Sequence, residues 1–137
     1  MSLFTIEFDT DLEQATWAAA AIRGIASLWV DDEMKLYQVE LAAAEGVNNA
    51  ASYSKGKVKV DISKSAAGLT LEIWSEGKPL EVDVENLEDP RDFDVSDMNS
   101  VEIRGRGFFI LQQLSSSLSV DYLDGKNLLR FCIPLKD

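Results

Sequence analysis

Histidine is absent from all 137 residues, and that absence removes the most chemistry at once. Without an imidazole there is no Ser–His or Cys–His catalysis, no phosphohistidine and no His-based zinc site. Cysteine occurs once, as Cys132, so no intrachain disulfide can form. Flanked by Phe131 and Ile133, that thiol reads as a small buried hydrophobe rather than a nucleophile. Cations are also scarce. Thirteen Lys and Arg stand against 24 Asp and Glu, a formal net charge of −11. Direct binding to nucleic acid or an anionic membrane surface is therefore not expected, because phosphates are held by clustered Lys and Arg. No apolar stretch approaches the ~18 residues of a membrane span. The opening Met-Ser-Leu-Phe-Thr-Ile-Glu-Phe lacks the basic start and long apolar core of a signal peptide. The expectation is a cytoplasmic protein with one domain over residues 1–137, whose 46% hydrophobic content suffices for a core.

Period-2 alternation of Phe4, Ile6 and Phe8 with Leu3, Thr5 and Glu7 predicts an opening strand. Asp9-Thr10-Asp11 offers N-caps, with Glu13 three residues after Thr10 as in a capping box, and an Ala-rich helix follows to about residue 28. Gly24 is a weak point within it. A second helix is predicted over about 31–53, its acidic start (Asp31, Asp32, Glu33) suited to the positive end of the helix dipole. Leu36, Val39, Ala43, Val47 and Ala50 recur at three or four residues, which buries one face.

Two strands are expected at 57–62 and 69–74, joined by a turn ending at Gly68. Residues 77–100 hold two of the three prolines and a run of acids with little periodicity, and read as a long loop of the kind that carries function. A short helix is expected from Gly105, then strands at 118–123 and 128–135 around the hairpin signal Asp124-Gly125. The simplest packing is an α/β (α+β) two-layer sandwich, a mixed sheet with helices on one face.

Three local patterns carry chemistry. Glu45 and Asn49 lie at i and i+4 on one helical face, pairing a carboxylate that can orient a hydroxyl with an amide oxygen suited to Mg²⁺. Gly46 between them costs roughly 1 kcal/mol in a helix and calls for a compensating close approach. Ser75-Glu76-Gly77-Lys78-Pro79 ends an apolar strand in a turn where backbone can meet a ligand. Gly105-Arg106-Gly107 opens a helix, whose free N–H groups suit phosphate oxygens. Arg104, Arg106 and Arg91 are the basic residues nearest that end. Each pattern alone also fits a bland surface feature.

Their order and spacing are more specific. A helix with E-x-x-x-N, a strand ending at a glycine turn, a long loop and G-x-G opening a helix resemble the Bergerat-type ATP-binding fold of histidine kinases, gyrase and Hsp90. The short single-domain form is similar to the anti-sigma factor serine/threonine kinases, from the leading strand through Glu40 to Asn49, Gly77-Lys78-Pro79-Leu80, Gly105 to Leu114, and Tyr122 to Asn127.

The resemblance implies roles. Asn49 matches the Mg²⁺-binding asparagine and Glu45 the acid that activates the attacking serine hydroxyl or a water. Gly77 matches the glycine under adenine; Gly105 and Gly107 match those facing phosphates. The loop over about 77–100 would be the ATP lid. One departure matters: Ser75 stands where the family has an Asp that accepts the adenine amino group. The implied ligands are ATP and Mg²⁺, and the implied partners a sigma factor and a STAS-type anti-sigma antagonist, with a homodimer expected. The competing reading keeps the fold as a kinase-inactive, weakly nucleotide-binding module that works by partner switching. A detached sensor-kinase ATPase domain fits less well, since no second helical hairpin is present.

Overall fold

The computed structural model describes residues 3–80 and 103–136, excluding the side chains of residues 12, 53 and 103–106. The lid expected over 77–100 therefore falls outside the described residues beyond residue 80, as does Arg91. In chain order the elements are β1 (Phe4–Phe8), α1 (Leu12–Ala26), α2 (Glu33–Tyr53), β2 (Val58–Ser65), β3 (Gly68–Glu76), α3 (Ile103–Leu114), β4 (Ser117–Leu123) and β5 (Lys126–Ile133). The strands form one sheet in the order β1-β2-β3-β5-β4.

Every neighbouring pair in that sheet is antiparallel, which corrects the expected mixed sheet. The correction has a topological cause. β3 and β4, joined through α3, do run in the same direction, but the β4–β5 hairpin inserts β5 between them. The hairpin turn that achieves this is Asp124-Gly125, with φ of 53° and 78°, the doubly positive pair that a right-twisted two-residue hairpin needs.

Alternation decides which face is covered. Val58, Val60 and Ile62 of β2, Leu69, Leu71 and Ile73 of β3, and Leu129, Phe131 and Ile133 of β5 are buried on one face. Against it packs the apolar stripe of α2, with Leu36, Val39, Ala43, Val47 and Ala50 all buried as their spacing predicts. Gly46 explains itself here. A Cβ at that position would lie 2.8 Å from Ile73 Cδ1 and 2.9 Å from Phe131 Cε1, so only hydrogen lets α2 sit this close to the sheet.

The helix starts differ slightly from expectation. Asp11, not Thr10, caps α1 by accepting the Glu13 amide at 2.8 Å, and Asp32 caps α2 by accepting the Met34 amide at 3.0 Å. Arg23 on α1 donates to Glu33 at 2.7 Å and Glu40 at 3.0 Å, which ties the two helices together. None of the described helices is long and apolar enough to cross a membrane.

Candidate functional site

Asn49 is buried in the middle of α2, and its side-chain N–H donates to the Glu45 carbonyl at 2.9 Å. A carbonyl accepts only, so this bond fixes the amide orientation and identifies Oδ1 as the acceptor atom of the side chain. Glu45 lies one turn earlier and is half-buried. The third member arrives from α3. A Cβ on Gly107 would lie 2.7 Å from Asn49 Nδ2 and 2.9 Å from Glu45 Oε2. The glycine therefore lets the backbone of α3 rest directly on the Glu45/Asn49 pair, and residues 45, 49 and 107 converge across nearly half the chain.

α3 begins at Ile103, so Gly105 and Gly107 lie within its first two turns rather than ahead of it. Arg104 and Arg106 belong to the same turns by their backbone, and their side chains are outside the described residues.

β3 brings up the other side. Ser75 faces the covered side and is buried, whereas Glu76 is exposed, as the strand alternation predicts. Gly77 then turns the chain with φ of 153°, a conformation open to glycine and rarely to L side chains.

What holds that turn was not found by sequence reasoning. Asn127, buried at the start of β5, donates from Nδ2 to the Lys78 carbonyl at 2.8 Å and accepts from the Leu80 amide at 2.9 Å. Tyr122 on β4 adds a hydroxyl donated to the Gly77 carbonyl at 3.0 Å. A buried amide that satisfies two backbone groups stands in for a missing strand partner. The available signal was an Asn at an inward-facing position of an otherwise apolar strand. We expect Asn127→Ala to destabilise the protein by about 2 kcal/mol through two stranded backbone groups. Amide exchange at Leu80 should quicken more than exchange at Ile73, and equal changes at both would deny the clamp.

A cavity of about 800 Å³ lies on the opposite, uncovered face, lined by Glu7, Lys59, Trp74, Glu76 and Lys126 among others. It includes none of residues 45, 49 and 107, although Ser75, at the strand end, lines it too. Glu7 opposes Lys59 and Glu76 opposes Lys126 in register, and Lys59 Nζ lies 3.8 Å from Asp61 on its own strand, so opposite charges alternate over this sheet face. The convergent polar groups are on the covered side.

A polar helix pair under a glycine, beside a glycine-turned strand end, is a constellation with known relatives. The chain matches the histidine kinase-like ATPase domain over residues 8–133. It belongs to that family. The match spans every element that builds the site, from the end of β1 to the end of β5.

Solved structures agree on the fold. A chain in the SiaB–SiaC complex of Pseudomonas aeruginosa is similar with a TM-score of 0.60 at 14% identity, over 96% of this chain and 89% of that one. The catalytic domain of the histidine kinase ThkA gives 0.53 at 14% identity, over 97% of each chain. The Acinetobacter baumannii histidine kinase AdeS gives 0.52 at 17% identity, over 100% of this chain and 70% of that one. No curated protein matches the sequence.

The donor set fits a hard cation beside phosphates. An amide oxygen with its nitrogen already committed is an Mg²⁺-type ligand, and magnesium characteristically takes only one or two protein ligands, the rest being water and phosphate. No group of three or more His, Cys, Asp or Glu that could cage a metal is found among the described residues. Such a cation would need the nucleotide to complete its shell.

Proposed function

We propose that this chain binds ATP with Mg²⁺ and acts as a serine/threonine kinase in an anti-sigma partner switch. The observation that carries the reading is Gly107 seated on Glu45 and Asn49, because it assembles helix, carboxylate and amide oxygen where phosphates would meet the N-terminal turns of α3. Asn49 would hold the metal, which when bound neutralises charge on the phosphates. Glu45 would orient the attacking hydroxyl, Ser75 and Gly77 would contact adenine, Gly105 in the first turn of α3 would present its backbone N–H, and Gly107, whose own N–H is committed within the helix, would face the phosphates by allowing close approach. Arg104 and Arg106 would add positive charge near the phosphates. Catalysis in such a site is mostly positioning and electrostatic stabilisation.

The substrate would be a serine on a STAS-type anti-sigma antagonist, and the sequestered partner a sigma factor. The presence of a similar chain in a two-protein complex, SiaB with SiaC, supports a protein partner. A homodimer in the cytoplasm completes the proposal. The test is phosphotransfer from labelled ATP to a cognate antagonist.

Ser75 favours a second reading, a partner-switching module with weak nucleotide affinity and no turnover. A hydroxyl lacks the charge that roughly doubles the strength of a carboxylate contact. Ser75→Asp should raise ATP affinity about ten- to a hundredfold, the equivalent of 1.5–3 kcal/mol. Titration of both proteins with ATP and GTP decides it: equal ATP affinities would remove Ser75 from the adenine contact.

A further inference from the structure

At the end of the sheet far from Ser75, three segments converge on a cavity of about 290 Å³. Trp29 and Val30 come from the turn between α1 and α2, Lys64 and Ser65 from the end of β2, and Leu135 and Lys136 from the chain after β5. Gly68, at the start of β3, also lines it, while Ser75 lies near the other end of the same strand. Eight strand steps at about 3.3 Å each separate the two strand ends by roughly 25 Å.

The charge of this cavity runs against the rest of the molecule. In a chain with net charge −11, its lining among the described residues contains two lysines and no acid. Lys64 Nζ lies 5.6 Å from the centroid of the Trp29 ring, so one cation is already placed over the aromatic wall. The Ser65 hydroxyl accepts the Ala67 amide at 3.2 Å, which leaves its own proton to donate. Trp29, Val30, Ala66 and Leu135 supply the apolar remainder.

The walls are also held in place. Gly68 packs so tightly on the following chain that a Cβ there would lie 2.2 Å from the Ile133 carbonyl oxygen and 2.9 Å from Pro134 Cα. That contact keeps the segment bearing Leu135 and Lys136 against the β2–β3 turn. The volume equals the share of roughly ten liquid waters at about 30 Å³ each, enough for a flat ring with one oxyanion.

The geometry points to a second ligand site here, one that takes a small organic anion: a carboxylate or phosphate monoester on a flat apolar body. The oxyanion lies between Lys64, Lys136 and Ser65, and the body stacks towards Trp29. The site stands apart from the proposed nucleotide site and does not depend on it.

Titrating the full chain with benzoate, phenyl phosphate and neutral benzyl alcohol, followed by amide and indole NMR shifts, tests this. Saturable shifts at the Trp29 indole and Gly68 amide with either anion, and none with benzyl alcohol, are expected. The double variant Lys64→Gln/Lys136→Gln changes two exposed residues, so the rest of its spectrum should be retained. Its affinity for the anion should fall about three- to tenfold, and added salt should weaken wild-type binding. A preference for benzoate identifies the carboxylate, and a preference for phenyl phosphate the phosphate monoester. The proposal is overturned if no saturation occurs to the order of 10 mM, if benzyl alcohol binds equally, or if the lysine variant binds as wild type. Shifts confined to the Asn49 side-chain amide would also overturn it, since they would report the nucleotide site instead.

Discussion

Asn49→Ala should lower phosphotransfer from Mg·ATP by at least about a hundredfold, the scale seen when one preorganised polar contact to a reacting centre is removed. The side chain is buried and commits its N–H to the Glu45 carbonyl at 2.9 Å, so its Oδ1 is held rather than mobile. Removing it deletes the proposed metal contact and one local hydrogen bond worth about 1 kcal/mol, which a folded domain tolerates. Circular dichroism should therefore stay native while the Mg²⁺ dependence of nucleotide affinity flattens. Asn49→Asp makes the comparison sharper. It keeps an oxygen for a cation but turns the bond to the Glu45 carbonyl into a repulsion between two acceptors. Partial retention of metal-dependent binding in Asp and none in Ala is the expected order. Undiminished turnover in Asn49→Ala would remove the metal role, whereas a wild type that binds its partner without any phosphotransfer would select the sequestering module.

The parts of this site that were legible in the sequence are the local ones. Glu45 and Asn49 meet because i and i+4 share a helical face, and their buried neighbours follow the same period. Mid-helix Gly46 signalled a close approach, although only the fold names Ile73 and Phe131 as the groups approached. Gly24, inside α1, has open space instead: a Cβ added there would meet nothing within 4 Å, so it has no packing reason of this kind. Asn127 escaped because its role is to hold backbone 47 and 49 residues away in sequence, and no local pattern encodes that partner. Strand order escaped for a related reason. The hairpin at Asp124-Gly125 was readable, but its insertion beside β3 depends on pairing Leu69 with Ile133, a contact between distant strands.

Gly68→Ala should be among the most damaging single-methyl changes in the protein, destabilising it by about 3 kcal/mol and lowering Tm by roughly 10 °C for a domain of this size. In the sequence this residue only ends a turn; in the fold it carries two separate constraints. Its φ of +139° is one that L side chains rarely adopt, and such strain costs on the order of 1–3 kcal/mol. The clash adds to it. The nearest atoms to a Cβ are the Ile133 carbonyl oxygen at 2.2 Å, the Ile133 carbonyl carbon at 2.8 Å and Pro134 Cα at 2.9 Å. All three are backbone, so no rotamer change relieves them, and Ile133 is itself buried in the core and paired with Leu69. Relief must come from moving the end of β5 away from the start of β3. Gly24→Ala is the matched control: it sits on an exposed helical surface with open space around it and should stabilise by about 1 kcal/mol. Thermal unfolding of the two variants should therefore shift in opposite directions. A Gly68→Ala protein melting within about 2 °C of wild type would mean that β5 yields at this contact without cost, and that the chain after Ile133 is not held against the β2–β3 turn.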